Sequence, residues 1–246
     1  MNTTDIAPAK TSARIPLVLC PGLLCDAALW APQVAALAAV ADIWIPDLTR
    51  QSTMAEMGAT VLGEAPWPRF ALAGLSMGGY VALETFAQAP RRITRLALLD
   101  TRSTAESSED RARRVQLVAL VQRERGFAAL TKQLLPLMVH ASRLGDPALT
   151  DTIRDMAARV GVEAYARQQA AIVSRRDFRP GLRHVDVPTL VLCGRDDQIT
   201  PLAGSEEMAA AIPGARLVVP AQCGHMSTLE SPDAVNAALR DWLGES

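Results

Sequence analysis

A serine hydroxyl is a poor nucleophile at neutral pH unless a base takes its proton and a carboxylate orients that base. The stretch Leu72-Ala73-Gly74-Leu75-Ser76-Met77-Gly78-Gly79 offers such a serine. An apolar run enters it and a helix-forming run leaves it, so Ser76 falls on a strand-to-helix turn within a Gly-x-Ser-x-Gly pattern. The turn is sharp enough that a Cβ two residues to either side of Ser76 would meet neighbouring backbone, which accounts for the glycines. Free N–H groups at the start of the following helix face any negative charge that builds at the serine oxygen. An ordinary turn serine can share this local pattern, so the reading depends on partners elsewhere in the chain.

The base has three candidates, His140, His184 and His225. In a doubly wound parallel sheet, ligands gather at the edge formed by the strand carboxyl ends. His225, in Gln222-Cys223-Gly224-His225-Met226, follows the last expected strand and shares that edge with Ser76. His184 precedes a strand and belongs to the opposite edge, and His140 lies in a helical middle segment. The acid is expected in Gly194-Arg195-Asp196-Asp197-Gln198-Ile199-Thr200-Pro201, again after a strand. Asp197 is preferred; Asp196 and Asp100, the latter also at a strand end, are the alternatives. The order Ser76, Asp197, His225 is one in which a nucleophile, an acid and a base recur along a chain. Cys223 and His225 have a metal-like spacing, but a serine, histidine and carboxylate account for His225 without an ion.

The elements that must position these groups follow from hydrophobic patterning. Apolar runs at Ile15–Cys20, Asp42–Pro46, Phe70–Leu75, Ile93–Leu99, Pro188–Cys193 and Ala215–Val219 read as strands. Between them, Ala27–Val40 (capped by Asp26), Thr53–Gly63, Gly78–Gln88, Thr200–Ile212 and Ser231–Leu243 read as helices. Strands that are apolar throughout and alternate with helices describe an α/β, doubly wound, mostly parallel sheet of roughly six strands, covered on both faces. The alternation stops between Ser103 and about Arg179. There a helix opens at Ser108 with Val115, Val118 and Val121 as apolar positions. A second runs Phe127–Val139, interrupted at Pro136, and Asp146-Pro147 opens a third to Gly161, followed by Val162–Ser174. Leu134–Val139 reads first as the core of this segment and second as the wall of an acyl pocket.

Composition limits the function classes. The 246 residues are 49% apolar and 21% charged, which fits a globular chain with an ample core. No apolar run reaches membrane-spanning length, and Met1–Arg14 lacks the apolar core of a secretion signal. Aromatic residues make up only 4%, with no basic stripe that interleaves them, so no nucleic-acid partner is expected. The four cysteines, Cys20, Cys25, Cys193 and Cys223, form no tight framework and read as free thiols of a cytoplasmic protein. Cys20 and Cys193 belong to non-adjacent strands, which argues against a bridge between them. The net charge of −1 hides an asymmetry: residues 103–183 hold 14 Lys/Arg against 9 Asp/Glu. The plain reading is a solvated helical surface; the sharper one is recognition of an anionic substrate group or an acidic carrier.

From about residue 14 to 243 the chain resembles the α/β-hydrolase superfamily, and within it the small cap-bearing esterases. Carboxylesterases, pimeloyl-carrier methyl ester esterases, enol-lactone hydrolases, C–C bond hydrolases and cofactor-free haloperoxidases belong to this group. The resemblance is carried by Gly74-Leu75-Ser76-Met77-Gly78-Gly79, by Gly194-x-x-Asp197-x-x-x-Pro201 and by Gly224-His225. It implies that the acid is Asp197, that the backbone N–H groups of Leu23 and Met77 hold an oxyanion, and that a helical cap enters after Asp100. Relatives commonly carry His-Gly after the first parallel strand, where this chain has Pro21-Gly22, so a side-chain anchor of the oxyanion loop is missing. Many relatives also begin with two antiparallel strands, for which this chain has no room.

The expected layout is thus a loose tail over 1–13, a core over 14–102 and 184–246, and a cap over 103–183. The expected activity is hydrolysis of small to medium carboxylic esters through an acyl-serine, with no metal or organic cofactor. The same groups could instead serve C–C bond hydrolysis, enol-lactone hydrolysis or perhydrolysis, or remain idle in a hydrolase-like binding protein.

Overall fold

A computed structural model describes residues 14–244; the expected tail over 1–13 lies outside them. Six strands form one parallel sheet, β1 (Ile15–Cys20), β2 (Ala41–Trp44), β3 (Phe70–Leu75), β4 (Ile93–Leu99), β5 (Thr189–Leu192) and β6 (Arg216–Val218), in the order β2-β1-β3-β4-β5-β6. The helices are α1 (Ala31–Leu37), α2 (Met54–Glu64), α3 (Met77–Gln88), α4 (Ser108–Glu124), α5 (Ala128–Met138), α6 (Pro147–Ser174), α7 (Arg179–Leu182), α8 (Leu202–Ala211), α9 (Ser227–Glu230) and α10 (Pro232–Gly244).

Successive strand side chains face opposite sides of the sheet, and each set joins its own core. Leu17, Leu19, Ala73, Leu75, Leu99 and Leu192 pack with Leu37, Leu239 and Trp242 on one face. Val18, Cys20, Leu72, Leu96, Leu98 and Val191 pack with Met57, Val81 and Met208 on the other. All four cysteines are free and buried, and β3 and β4 separate the strands that lead to Cys20 and Cys193.

Several boundaries differ from the sequence reading for local reasons. The expected helix over 27–40 is a 3-10 turn, Ala27–Trp30, capped by Asp26, followed by α1. Pro32 lies in the first turn of α1, where its missing N–H costs nothing, so the helix restarts there. The second strand ends at Trp44, short of Pro46, which has no N–H for a ladder. Pro136 does not interrupt α5 but sits in its last turn, where only one intrahelical bond is lost. Val115 is 68% exposed rather than a core position of α4, while Val121 is buried. Gly161, at φ 82°, breaks α6 where two helices were expected to meet.

Between β4 and β5 the described chain contains only helices, α4 to α7, around a small core of Val121, Leu130 and Tyr165. Leu23 and Leu24, from the loop after β1, pack into that core and join the insertion to the sheet edge. Among the described residues no helix is long and apolar enough to cross a membrane.

The β3–α3 turn is built by close backbone approach. A Cβ on Gly74 would lie 2.0 Å from the Gly78 carbonyl oxygen, and one on Gly78 would lie 2.1 Å from that of Cys20. Backbone cannot yield as a flexible side chain can. Gly78→Ala is therefore expected to cost about 3 kcal/mol or more, a fall in melting temperature of about 2–4 °C per kcal/mol for a domain of this size. Thermal unfolding followed by circular dichroism checks this, and an unchanged midpoint would contradict the packing described.

Candidate active site

Ser76 caps the N-terminal end of α3 with φ 54° and ψ −115°, a conformation that L-residues other than glycine seldom adopt. The fold holds it there: the Ser76 N–H donates to the Leu99 carbonyl at 2.9 Å, and Thr101 Oγ1 donates to the Ser76 carbonyl at 2.8 Å. The side chain lines a cavity of about 110 Å³ together with His225, Thr200, Leu23 and Gly22. Met77 opens α3, so its N–H has no intrahelical acceptor. The Leu23 N–H is likewise taken up by no other group among the described residues.

His225 follows β6 in a buried loop. Its N–H donates to the Met138 carbonyl at 2.7 Å, and its Nδ1 lies 2.8 Å from Asp197 Oδ2. A carboxylate there can only accept, so Nδ1 carries the hydrogen and Nε2 is left as the free acceptor. Asp197 is saturated: Oδ1 accepts from the Ile199 and Thr200 N–H groups at 2.8 and 2.9 Å, and Oδ2 also accepts from Thr200 Oγ1 at 2.7 Å. Burial opposes the Asp197 charge, but His225 and these donors outweigh it and hold the pKa below its ordinary value. Burial likewise opposes the charged form of His225, but the charge of Asp197 and its hydrogen bond outweigh it and raise the pKa.

The alternatives fall elsewhere. Asp196 is half-exposed and faces His140 Nε2 at 3.8 Å. His184 precedes β5, where its Nε2 accepts from Arg183 Nε at 3.1 Å. Asp100, fully buried with φ 43°, touches neither Ser76 nor the imidazole by hydrogen bond. Its Oδ1 accepts from the Gly194 N–H at 2.9 Å, and its Oδ2 shares a short hydrogen bond with Ser227 Oγ. It thereby ties the loop bearing Asp197 to the loop bearing His225. Asp100, Cys193 and Asp197 bring their polar atoms within 4.8 Å of one another. Burial pushes the Cys193 thiol up, and both carboxyls are already hydrogen-bonded, so the cluster serves as a hydrogen-bonding hub rather than a metal cage.

Two features escaped the sequence reading. The loop after β1 lacks a histidine anchor, but the insertion supplies one: Gln168 Oε1 accepts from the Leu24 N–H at 3.1 Å, and Gln168 Nε2 donates to the Leu48 carbonyl at 3.1 Å. Glu230 accepts from the Gly224 and Met226 N–H groups, both at 3.1 Å, and from that of His140 at 2.8 Å, which pins both sides of His225 to the end of α5. A glutamine or glutamate on a helix gives no sequence signal of such a role. The Leu134–Val139 stretch divides between the two readings: Leu134, Leu135 and Met138 line the cavity, while Val139 lies in the core.

The sequence pattern that defines the α/β hydrolase fold matches residues 15–232, and the chain belongs to that family. Its structure superposes on a thermophilic esterase from Thermogutta terrifontis with a TM-score of 0.88 at 30% identity, over 93% of this chain and 89% of the other. The enol-lactonase of Burkholderia xenovorans gives a TM-score of 0.83 at 29% identity over 96% and 94% of the two chains. A pimeloyl-[acyl-carrier protein] methyl ester esterase of Neisseria meningitidis is 29% identical over 69% of this chain and 68% of its own.

Burial pushes the Asp100 carboxyl up to about 8, above its ordinary 3.8. An acid with a raised folded-state pKa contributes stability below its unfolded pKa and loses it as pH rises through the folded one. Asp100→Asn keeps an acceptor for the Gly194 N–H, offers Ser227 Oγ an amide N–H where Asp100 accepts from it, and cannot ionise. It is expected to gain stability relative to wild type as pH rises from about 4 to about 8. Asp100→Ala, which strands both partners, is expected to lose about 1–3 kcal/mol. Denaturant melts of both variants across that pH range check the sign, and a pH-independent difference for Asp100→Asn would refute it.

Proposed function

We propose that this α/β hydrolase cleaves carboxylic esters of small to medium acyl substrates through an acyl-Ser76 intermediate, with His225 as base and Asp197 as its orienting acid. The observation that carries the reading is the buried Asp197–His225 hydrogen bond of 2.8 Å, beside a cavity that Ser76 also lines. His225 Nε2 accepts the Ser76 proton as the hydroxyl attacks the ester carbonyl. The Leu23 and Met77 N–H groups hold the oxyanion, each such donor being worth about 3–4 kcal/mol in the transition state. The imidazolium, stabilised by Asp197, then protonates the leaving alcohol, and water repeats the sequence on the acyl-enzyme. A lactone is an internal ester and opens by the same steps.

The helical insertion acts as a cap in this scheme. It gives the cavity its apolar wall and excludes bulk water, which strengthens every electrostatic interaction inside. Leu23, Leu130, Leu134, Leu135 and Met138 on the cavity wall suit an acyl chain. Four unbridged thiols fit a cytoplasmic setting.

Ser76→Ala is expected to lower kcat for p-nitrophenyl acetate by more than about 10⁴-fold without changing the melting temperature. Fluorophosphonate labelling of the wild type should map to Ser76 by peptide mass. Full turnover by the variant, or labelling at another residue, would end the proposal.

The base must be neutral to act, so kcat/KM is expected to rise with pH through a His225 pKa above its ordinary 6.5. Asp197→Asn removes the strongest influence that raises this pKa and leaves burial acting against the charge. Its acid limb is expected to move to lower pH while the plateau falls by about 10⁴. A limb that stays in place in the variant would assign the ionisation to another group.

A further inference from the structure

Apart from Ser76, Thr200 and His225, the polar side chains on the cavity wall include Tyr80, Arg102, Arg114 and Tyr165. Arg102 comes from the loop directly after β4 and Arg114 from α4. Arg175, at the end of α6 and only 2% exposed, stacks its guanidinium 4.4 Å from the centre of the Tyr80 ring. These three guanidiniums converge on one fully buried carboxylate. Arg102 Nη2 lies 3.3 Å from Glu106 Oε1, Arg114 Nε lies 3.1 Å from Oε2, and Arg175 Nη1 hydrogen-bonds to Oε2. Asp110, 40% exposed, is 3.6 Å from Arg102 Nη2. Three positive charges therefore meet two negative ones, and one of those two is screened by solvent.

The cluster also holds unspent donors. Arg102 Nε and Arg175 Nη2 are buried without a partner in hydrogen-bond geometry, and Arg114 Nε meets Glu106 out of alignment; the Tyr165 hydroxyl has only Gln169 beside it, and Tyr80 meets Arg102. Gln169, the neighbour of the Tyr165 hydroxyl, spends its Oε1 on Arg114 Nη1 at 2.7 Å. Surplus positive charge and unspent donors on a largely buried wall favour an anion that completes them. A guanidinium fork matches a carboxylate in shape. A single unit of surplus charge matches a monoanion better than a phosphate dianion.

We propose that Arg102 and Arg114, with the Tyr80 and Tyr165 hydroxyls, form a subsite for a carboxylate at the far end of the substrate's acyl group. The preferred substrates are then half-esters or lactones of dicarboxylic acids. Arg113, Arg123 and Arg125 of the insertion are exposed and take no part, and Arg111 reaches only the Glu106 backbone carbonyl, at 3.4 Å.

The catalytic half of this proposal rests on the ester-hydrolase reading; the binding half does not, and the experiment separates them. The matched pair is p-nitrophenyl hydrogen glutarate and p-nitrophenyl valerate, which differ in a terminal carboxylate against a methyl group. Wild type is expected to favour the glutarate by about tenfold to a hundredfold in kcat/KM, mainly through KM. Arg114→Gln and Arg102→Gln should each collapse that ratio towards one, and Arg114→Lys should leave it intermediate. Tyr165→Phe, which alters no charge, should lower it severalfold, so the case survives if a glutamine variant fails to fold. Glutarate binding to Ser76→Ala, measured by calorimetry, should be weakened about tenfold or more by adding Arg114→Gln. Hydrolysis of both esters without preference, or glutarate binding indifferent to the arginine changes, overturns the subsite. Arginine-dependent glutarate binding with neither ester hydrolysed would support the subsite and overturn the ester-hydrolase reading instead.

Discussion

The contact between Asp197 and His225 spans two loops, and it exists because those loops meet backbone to backbone. A Cβ on Gly194 would lie 2.0 Å from the Gly224 carbonyl oxygen, so no side chain fits between them. The Asp196 N–H donates to the Cys223 carbonyl at 2.9 Å and the Arg195 N–H to that of Pro220 at 3.0 Å, which lace the same two loops together. With the loops fixed at that spacing, the Asp197 carboxylate reaches Nδ1 of the imidazole. The Thr200 hydroxyl and two backbone N–H groups occupy its remaining acceptor positions. The orientation of the imidazole is thus set by the two loops themselves.

The same compactness creates an electrostatic problem. Asp100, Asp197 and Glu230 all lie buried near one imidazole. Three ionised carboxylates in a dry region would repel one another strongly. The conflict is relieved unequally. Asp197 is stabilised as an anion by its donors and by His225. Glu230 accepts three backbone N–H bonds. Asp100 has fewer donors, and burial together with Asp197 pushes its pKa up to about 8, so it serves best as a neutral link between loops. Two strand-end aspartates with similar sequence credentials therefore have different jobs, and the difference lies in the donors each one meets.

This explains what could be read from the chain and what could not. The strands ending at Cys20, Leu75 and Leu99 were legible to the residue, because buried parallel strands are apolar throughout and stop at turn residues. Gly74 and Gly78 were legible because tight backbone approach excludes a Cβ. The choice between Asp197 and Asp100 drew support from resemblance, since position at a strand end suits both. Gln168 and Glu230 were invisible: they act on backbone groups far away in sequence, and nothing in a helical glutamine or glutamate marks it for that duty. The basic excess of residues 103–183 was visible only as a total. Which of its arginines turn inward depends on helix rotation, which a weakly amphipathic helix such as α4 does not specify.

The insertion is therefore more than a cover. Through Gln168 it fixes the loop that presents the Leu23 N–H, and through the Met138 carbonyl it holds the backbone of His225. Arg159 reaches back to Asp26 at 2.6 Å, so the first residue after Cys25 is clamped from the same side. The loop after β1 and the loop bearing His225 are thus both tied to the insertion, while Ser76 is held by bonds to the end of β4 and to Thr101. The insertion therefore does two things at once: its apolar side chains wall the cavity, and its polar groups hold the two loops that flank Ser76.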